Sequence, residues 1–96
     1  MQFEWDAKKS AANQAKHDVD FAAVNDFQWD TAQIFTDDRR DYGEERQFAR
    51  GLMGSRLFVV VFVLRGDATR LISLRKANRG ERALYETETG TILRDT

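Results

Sequence analysis

From Glu45 onward apolar and polar residues alternate with a period of two, whereas before it the apolar positions fall mostly three or four apart. The exception is the start, where Phe3-Glu4-Trp5 alternates for one short strand. Asp6 then stands as a helix N-cap ahead of an alanine-rich stretch that runs to Lys16, with Ala7, Ala11, Ala12 and Ala15 as its small apolar face. Asp20 caps a second helix beginning at Phe21, whose Phe21, Val24 and Phe27 share one side by i, i+3 spacing. Residues 32–36 predict a short strand. The run Asp37-Asp38-Arg39-Arg40-Asp41-Tyr42-Gly43 predicts a loop, being too polar and turn-rich for anything else.

In the second half, Arg46–Met53 reads as one strand, Gly54-Ser55 as a turn and Arg56–Arg65 as the next strand. Residues 57–64 are apolar on both faces, which marks the central, most buried strand. Gly66-Asp67 forms a second tight turn into an antiparallel strand over 69–76. Strict alternation sends Ile72 and Leu74 towards the core, and Leu71, Ser73 and Arg75 to the other face. Asn78 followed three residues later by Glu81 is a capping-box pattern that starts a last helix through about Glu88, after which the final six residues are expected to fray. The order predicts one α+β domain over residues 1–96: an antiparallel sheet of about four strands with two N-terminal helices and a C-terminal helix packed on it.

Composition narrows the function. Hydrophobic residues make up 42% and charged residues 32%, a balance that fits a small soluble domain and excludes a disordered or fibrous chain. The absence of cysteine excludes a disulfide framework, a thiolate zinc site and a cysteine nucleophile, and the lone His17 excludes a site needing two imidazoles. No serine sits in a glycine-flanked strand-to-helix turn, so a hydrolase triad lacks its motif. Asp37, Asp38 and Asp41 are spaced unlike a calcium loop, and neither a metal nor a cofactor is expected. The opening residues carry no export signal, and the longest apolar run is too short for a membrane span, so a cytoplasmic protein without membrane contact is expected. The net charge of -1 advertises no global basic field. It conceals a gradient, with 5 basic and 9 acidic residues up to Gly43 against 10 and 7 after it.

The densest cationic stretch is Arg65, Arg70, Arg75, Lys76, Arg79 and Arg82, opposed within it only by Asp67 and Glu81. The planar guanidinium fork matches phosphate oxygens, and Arg75 and Arg79 flank a strand-to-helix junction where the helix dipole already favours an anion. The plainer alternative is a solvated face of little energetic consequence. His17, at the end of the first helix, is either a proton acceptor titrating near neutral pH or a helix-terminal packing residue. Glu81 is either a base or a capping residue, and Tyr85 either stacks on a nucleobase or packs in the core. Glu44 and Glu45 supply a carboxylate or pair with arginines, while Trp5 and Trp29 read as packing or partner-facing anchors.

Taken together, Phe3-Glu4-Trp5-Asp6, Lys9, Asn13, Lys16-His17, Val19 and Phe21, then Glu44-Glu45-Arg46, Gly51 and the valine-rich strand, then Arg70-Leu71-Ile72-Ser73-Leu74-Arg75-Lys76-Ala77 with Glu81-Arg82 and Tyr85, resemble the BrnT toxins of bacterial type II toxin–antitoxin systems. The resemblance spans residues 3–85. It implies a RelE-like ribonuclease fold, RNA cleavage that arrests growth, and a BrnA antitoxin whose ribbon-helix-helix domain contacts DNA, so that the toxin meets DNA only indirectly. Carried over by position, it assigns Lys16, His17, Arg70, Arg75, Arg79 and Glu81 to the RNA site. With these stand Lys76 from the cationic stretch and Tyr85 as substrate contacts, and His17, Arg75, Arg79 and Glu81 as the catalytic set. Metal-independent attack by the RNA's own 2′-hydroxyl is the implied chemistry, with His17 and Glu81 both open as the base. Asp18 stands where a glycine commonly follows the Lys-His pair; aspartate tolerates a left-handed turn better than most residues, and an acidic neighbour is expected to raise the imidazole pKa. The reading of a different class is an inactive homologue serving as an antitoxin-binding corepressor.

Overall fold

The computed structural model describes residues 2–38 and 43–94. Its frame is a five-stranded sheet of β1 (Gln2–Glu4), β2 (Gln33–Asp37), β3 (Arg46–Met53), β4 (Arg56–Arg65) and β5 (Ala68–Lys76), in the spatial order β1-β5-β4-β3-β2. From β2 to β5 each strand is antiparallel to its neighbour, and β1 adds a parallel edge against β5. The sheet is therefore mixed and one strand wider than the expected four. The difference is β1, which follows no hairpin and gains its place only through tertiary pairing with β5. The strand expected over 32–36 is β2, displaced by one residue, and it takes Asp37 from the expected loop; residues 39–42 of that loop lie outside the described residues.

Strand β4 is central and apolar on both faces, as its sequence demands: Leu57, Phe58, Val59, Val60, Phe62 and Val63 are all buried. Phe58, Val60 and Phe62 share one face with Leu71 and Leu74 of β5 and Ala49 of β3, and this face packs against Phe21, Val24 and Phe27. Gly51 of β3 lies directly under Phe27, where an added Cβ would come within 2.5 Å of the ring, so only glycine allows this approach. Phe3, Trp5 and Trp29 extend the apolar layer, Trp29 stacking on Phe3 and meeting Phe27 and Phe62 edge-on.

Helix α1 (Ala7–His17) begins at its Asp6 cap as expected, but its alanines are exposed and its buried side chains are Ser10 and Asn13. The reason is what the helix covers. β1 pairs only with the first residues of β5, and the remainder of that strand edge faces α1 with unpaired backbone groups. The Asn13 amide satisfies them, donating to the Leu74 carbonyl (2.7 Å) and accepting from the Leu74 N–H (3.1 Å), with its other N–H on the Val19 carbonyl (2.9 Å). Ser10 Oγ accepts from the Phe21 N–H. The expected second helix is a six-residue 3-10 helix over Phe21–Asp26, followed by another 3-10 turn at Trp29–Thr31. Its apolar residues recur every three positions, which suits the eclipsed period of a 3-10 helix and gives an α-helix no continuous stripe.

A β-bulge alters the strand alternation. Val61 pairs with Ser73 and Phe62 with Leu71, so Ile72 is the extra residue of β5. Leu71 and Leu74 consequently both face the core, fully buried, whereas Ile72 is half-buried outside it, against the expectation from simple alternation. Helix α2 (Arg79–Thr89) starts at Asn78 with both halves of the capping box formed and ends at Gly90 in the left-handed region. The segment after it, expected to fray, turns back far enough for the Leu93 N–H to reach Glu86 Oε2 (2.7 Å); residues 95–96 lie outside the described residues. No helix among the described residues is long and apolar enough to cross a membrane.

Candidate active site

The sheet face opposite the main core carries the Arg75 candidate of the sequence. By register, Phe48 and Arg50 of β3, Val59 and Val61 of β4, and Ser73 and Arg75 of β5 share this face, and α2 crosses it. Arg75 and Glu81 join strand to helix through two parallel bonds, from the two terminal guanidinium nitrogens to the two carboxylate oxygens at 2.7 and 2.8 Å. Glu81 Oε1 also accepts from the Asn78 N–H (2.8 Å), closing the capping box, and Arg75 donates to the Lys76 carbonyl (3.3 Å). The hydrogen bonds from Arg75 hold the Glu81 carboxyl below its ordinary range, with the Asn78 N–H and the charges of Arg75 and Arg50 adding to this against the opposing effect of burial. A carboxylate so engaged is a poor proton acceptor and a good clamp.

His17 arrives from the other side of β5. Helix α1 ends on it because Asp18 adopts the left-handed conformation (φ 60°) and sends its N–H to the Gln14 carbonyl (2.9 Å). Asp18 thus performs the turn expected of a glycine. Its expected effect on the imidazole is overturned: partial burial, then the charges of Lys16 and Arg75, push the His17 pKa down and not up. The lowered pKa favours the neutral imidazole, the form able to take a proton, and the Arg75 charge that acts on it is the same one gripped by Glu81.

The remaining candidates divide. Lys16 is exposed beside His17, and Arg79 is exposed at the first position of α2; Lys76 is exposed but, in register with Phe58, lies on the sheet face opposite Arg75 and is not brought together with it. Arg70 is not gathered with them: it lies five residues back along β5, about 16 Å by strand rise, and pairs with Glu4 at 3.6 Å. Tyr85 is 2% exposed, so its ring has no open face for a base and it belongs to the packing under α2. Glu44 pairs with Arg65 at 2.9 Å, away from this cluster. Among the described residues no three of His, Cys, Asp and Glu converge on a point where a metal ion would bind.

Arg50 is the residue that sequence reasoning missed. Its buried guanidinium pairs with Glu88 of α2 at 2.9 Å, lies over the Phe35 ring at 4.7 Å, and its charge reaches Glu81. The available signal was a lone arginine facing Val59 in the interior of a strand. Phe48 was missed as well; with Val59, Val61, Arg75 and Glu81 it lines a cavity of about 100 Å³.

Among known families, residues 5–81 match the ribonuclease toxin, BrnT, of type II toxin–antitoxin systems. No curated protein matches the chain. The match runs from Trp5 through α1 and all of β2 to β5 to the Glu81 clamp, and the chain belongs to the BrnT family of ribonuclease toxins.

Proposed function

We propose that the chain is an endoribonuclease toxin that cleaves RNA without a metal ion and is neutralised by a BrnA-like ribbon-helix-helix antitoxin, which alone contacts DNA. The cytoplasm, where RNA and antitoxin meet, is its place of action. The observation that carries this reading is the family match together with the Arg75 guanidinium clamped by Glu81 at the junction of β5 with the amino-terminal end of α2, with His17 at the end of α1 feeling the Arg75 charge. The RNA's 2′-hydroxyl is the nucleophile. Its oxygen bonds to the adjacent phosphorus while His17 takes its proton; the bond to the 5′-oxygen breaks, and that oxygen takes a proton from water. The products are a 2′,3′-cyclic phosphate and a 5′-hydroxyl.

Negative charge grows on the non-bridging oxygens during attack, and its stabilisation by preset donors is usually the largest catalytic contribution. Arg75 and Arg79 supply it, and Glu81 fixes the plane of Arg75. Lys16 and, farther out, Lys76 and Arg70 hold the backbone. His17 is preferred to Glu81 as base because the hydrogen bonds from Arg75 and the Asn78 N–H occupy the Glu81 carboxylate and lower its affinity for a proton.

The test is cleavage of a defined RNA in the presence of a chelator, with product ends identified, for wild type, His17→Ala, Arg75→Ala and Arg75→Lys, each checked for folding by circular dichroism. Wild type is expected to leave cyclic phosphate ends, and His17→Ala and Arg75→Ala to lose about 10²-fold or more in rate. A folded Arg75→Ala protein with wild-type rate, or dependence on a divalent ion, overturns the mechanism. A folded wild type that binds the antitoxin without cleaving RNA establishes the corepressor reading in its place.

A further inference from the structure

Between α1 and the edge of β5 runs an open groove of about 310 Å³. Lys9, Ala12 and Lys16 bring one helix face to it by i, i+3, i+7 spacing, and His17 closes its end. The two lysines stand about 10 Å apart along the helix axis. Asn13 forms part of the floor, but its amide is committed to Leu74 and Val19 and offers a ligand nothing. The opposite wall is Ile72 and Ser73, and Ile72 is there because the bulge turns it out of the core.

A phosphate ion alone would use the cations and ignore the aliphatic wall, and an apolar ligand would do the reverse. The pairing of Lys9 and Lys16 on one wall with Ile72 on the other suits a ligand that carries an anionic group beside a flat apolar one. We propose that the groove binds one nucleotide of the RNA next to the point of cleavage, its phosphate on Lys9 and Lys16 and its base against Ile72. The inference rests on the ribonuclease reading for the identity of the substrate, and names Lys9 and Ile72 as further binding residues.

Titration of ¹⁵N-labelled protein with adenosine monophosphate, and separately with inorganic phosphate, tests it. Adenosine monophosphate is expected to shift the amides of Ala12, Ile72 and Ser73 and to bind more tightly than phosphate. Ile72→Ala removes that advantage, while Lys9→Ala weakens both ligands and lowers the slope of log affinity against log salt for a single-stranded RNA by ~0.7. Equal binding of the two ligands, or no shift at those three amides, overturns the groove assignment. RNA cleavage measured alongside separates the two readings. Cleavage with silent groove amides defeats the nucleotide groove alone; groove binding without cleavage supports the groove and defeats the ribonuclease.

Discussion

A histidine at the carboxyl end of a helix gains from the dipole there when it is protonated, yet the His17 pKa is pushed down because partial burial and the charges of Lys16 and Arg75 outweigh that gain. The consequence for activity has a definite sign. A general base works when neutral, so the rate rises with pH as the imidazolium loses its proton, and kcat/KM should show an acid limb below ~6.5, the ordinary value for histidine. Lys16→Ala removes one of the cations that disfavour the imidazolium, and the limb should move to higher pH even as substrate affinity falls. A pH profile of kcat/KM for both proteins checks this. A limb unmoved by the substitution would place the titrating group elsewhere.

At the scale of elements, the junction of α1 with β5 is held by a side chain standing in for a missing strand. Asn13→Ala leaves the Leu74 N–H and carbonyl and the Val19 carbonyl without their partner. At roughly 1–3 kcal/mol for a buried polar group left unsatisfied, the substitution should cost about 3 kcal/mol, since water will recover part of the loss at the helix margin. Thermal unfolding should show the midpoint falling by about 10 °C or more, and by no more than a degree or two for Ala11→Ser on the exposed side. The same junction shows where sequence reading fails. The period of two, the capping box and the two glycine turns are local signals, and they located β3 to β5 and α2 within a residue or two. The buried face of α1, the parallel placement of β1 and the bulge at Ile72 depend on what lies across the sheet, and alternation alone carries no trace of them. The site divides in the same way. Arg75 and Glu81 were legible because a capping box stood six residues from an arginine, whereas Arg50 and Phe48 come from a strand whose partner helix lies at the other end of the chain.

Over the whole molecule, one sheet face is closed by aromatic packing and the other by a helix tied down with charge, and the two respond differently to substitution. Helix α2 is joined to the sheet by Arg75–Glu81 near its start and Arg50–Glu88 near its end, with buried Tyr85 between them. The partners in the second pair are unequal: the Arg50 side chain is 6% exposed and that of Glu88 41%. Arg50 Nε and Gln33 Oε1 are already buried without hydrogen-bond partners among the described residues, so Glu88 is the chief compensation for the arginine's lost hydration. Removing the exposed partner should therefore do more harm than removing the buried one. Glu88→Ala leaves an uncompensated charge beneath α2, which costs about 3 kcal/mol when burial is complete and about 2 kcal/mol here, where solvent reaches the pair from one side. Arg50→Met keeps the volume and the contact with Phe35 and frees Glu88 to water, at a cost of about 1 kcal/mol or less. Urea unfolding of the two variants decides it: the midpoint should fall further for Glu88→Ala, and the double variant should resemble Arg50→Met alone. Equal losses from the two single variants would mean that the pair acts as an ordinary surface bridge and that apolar packing around Tyr85 holds the helix in place.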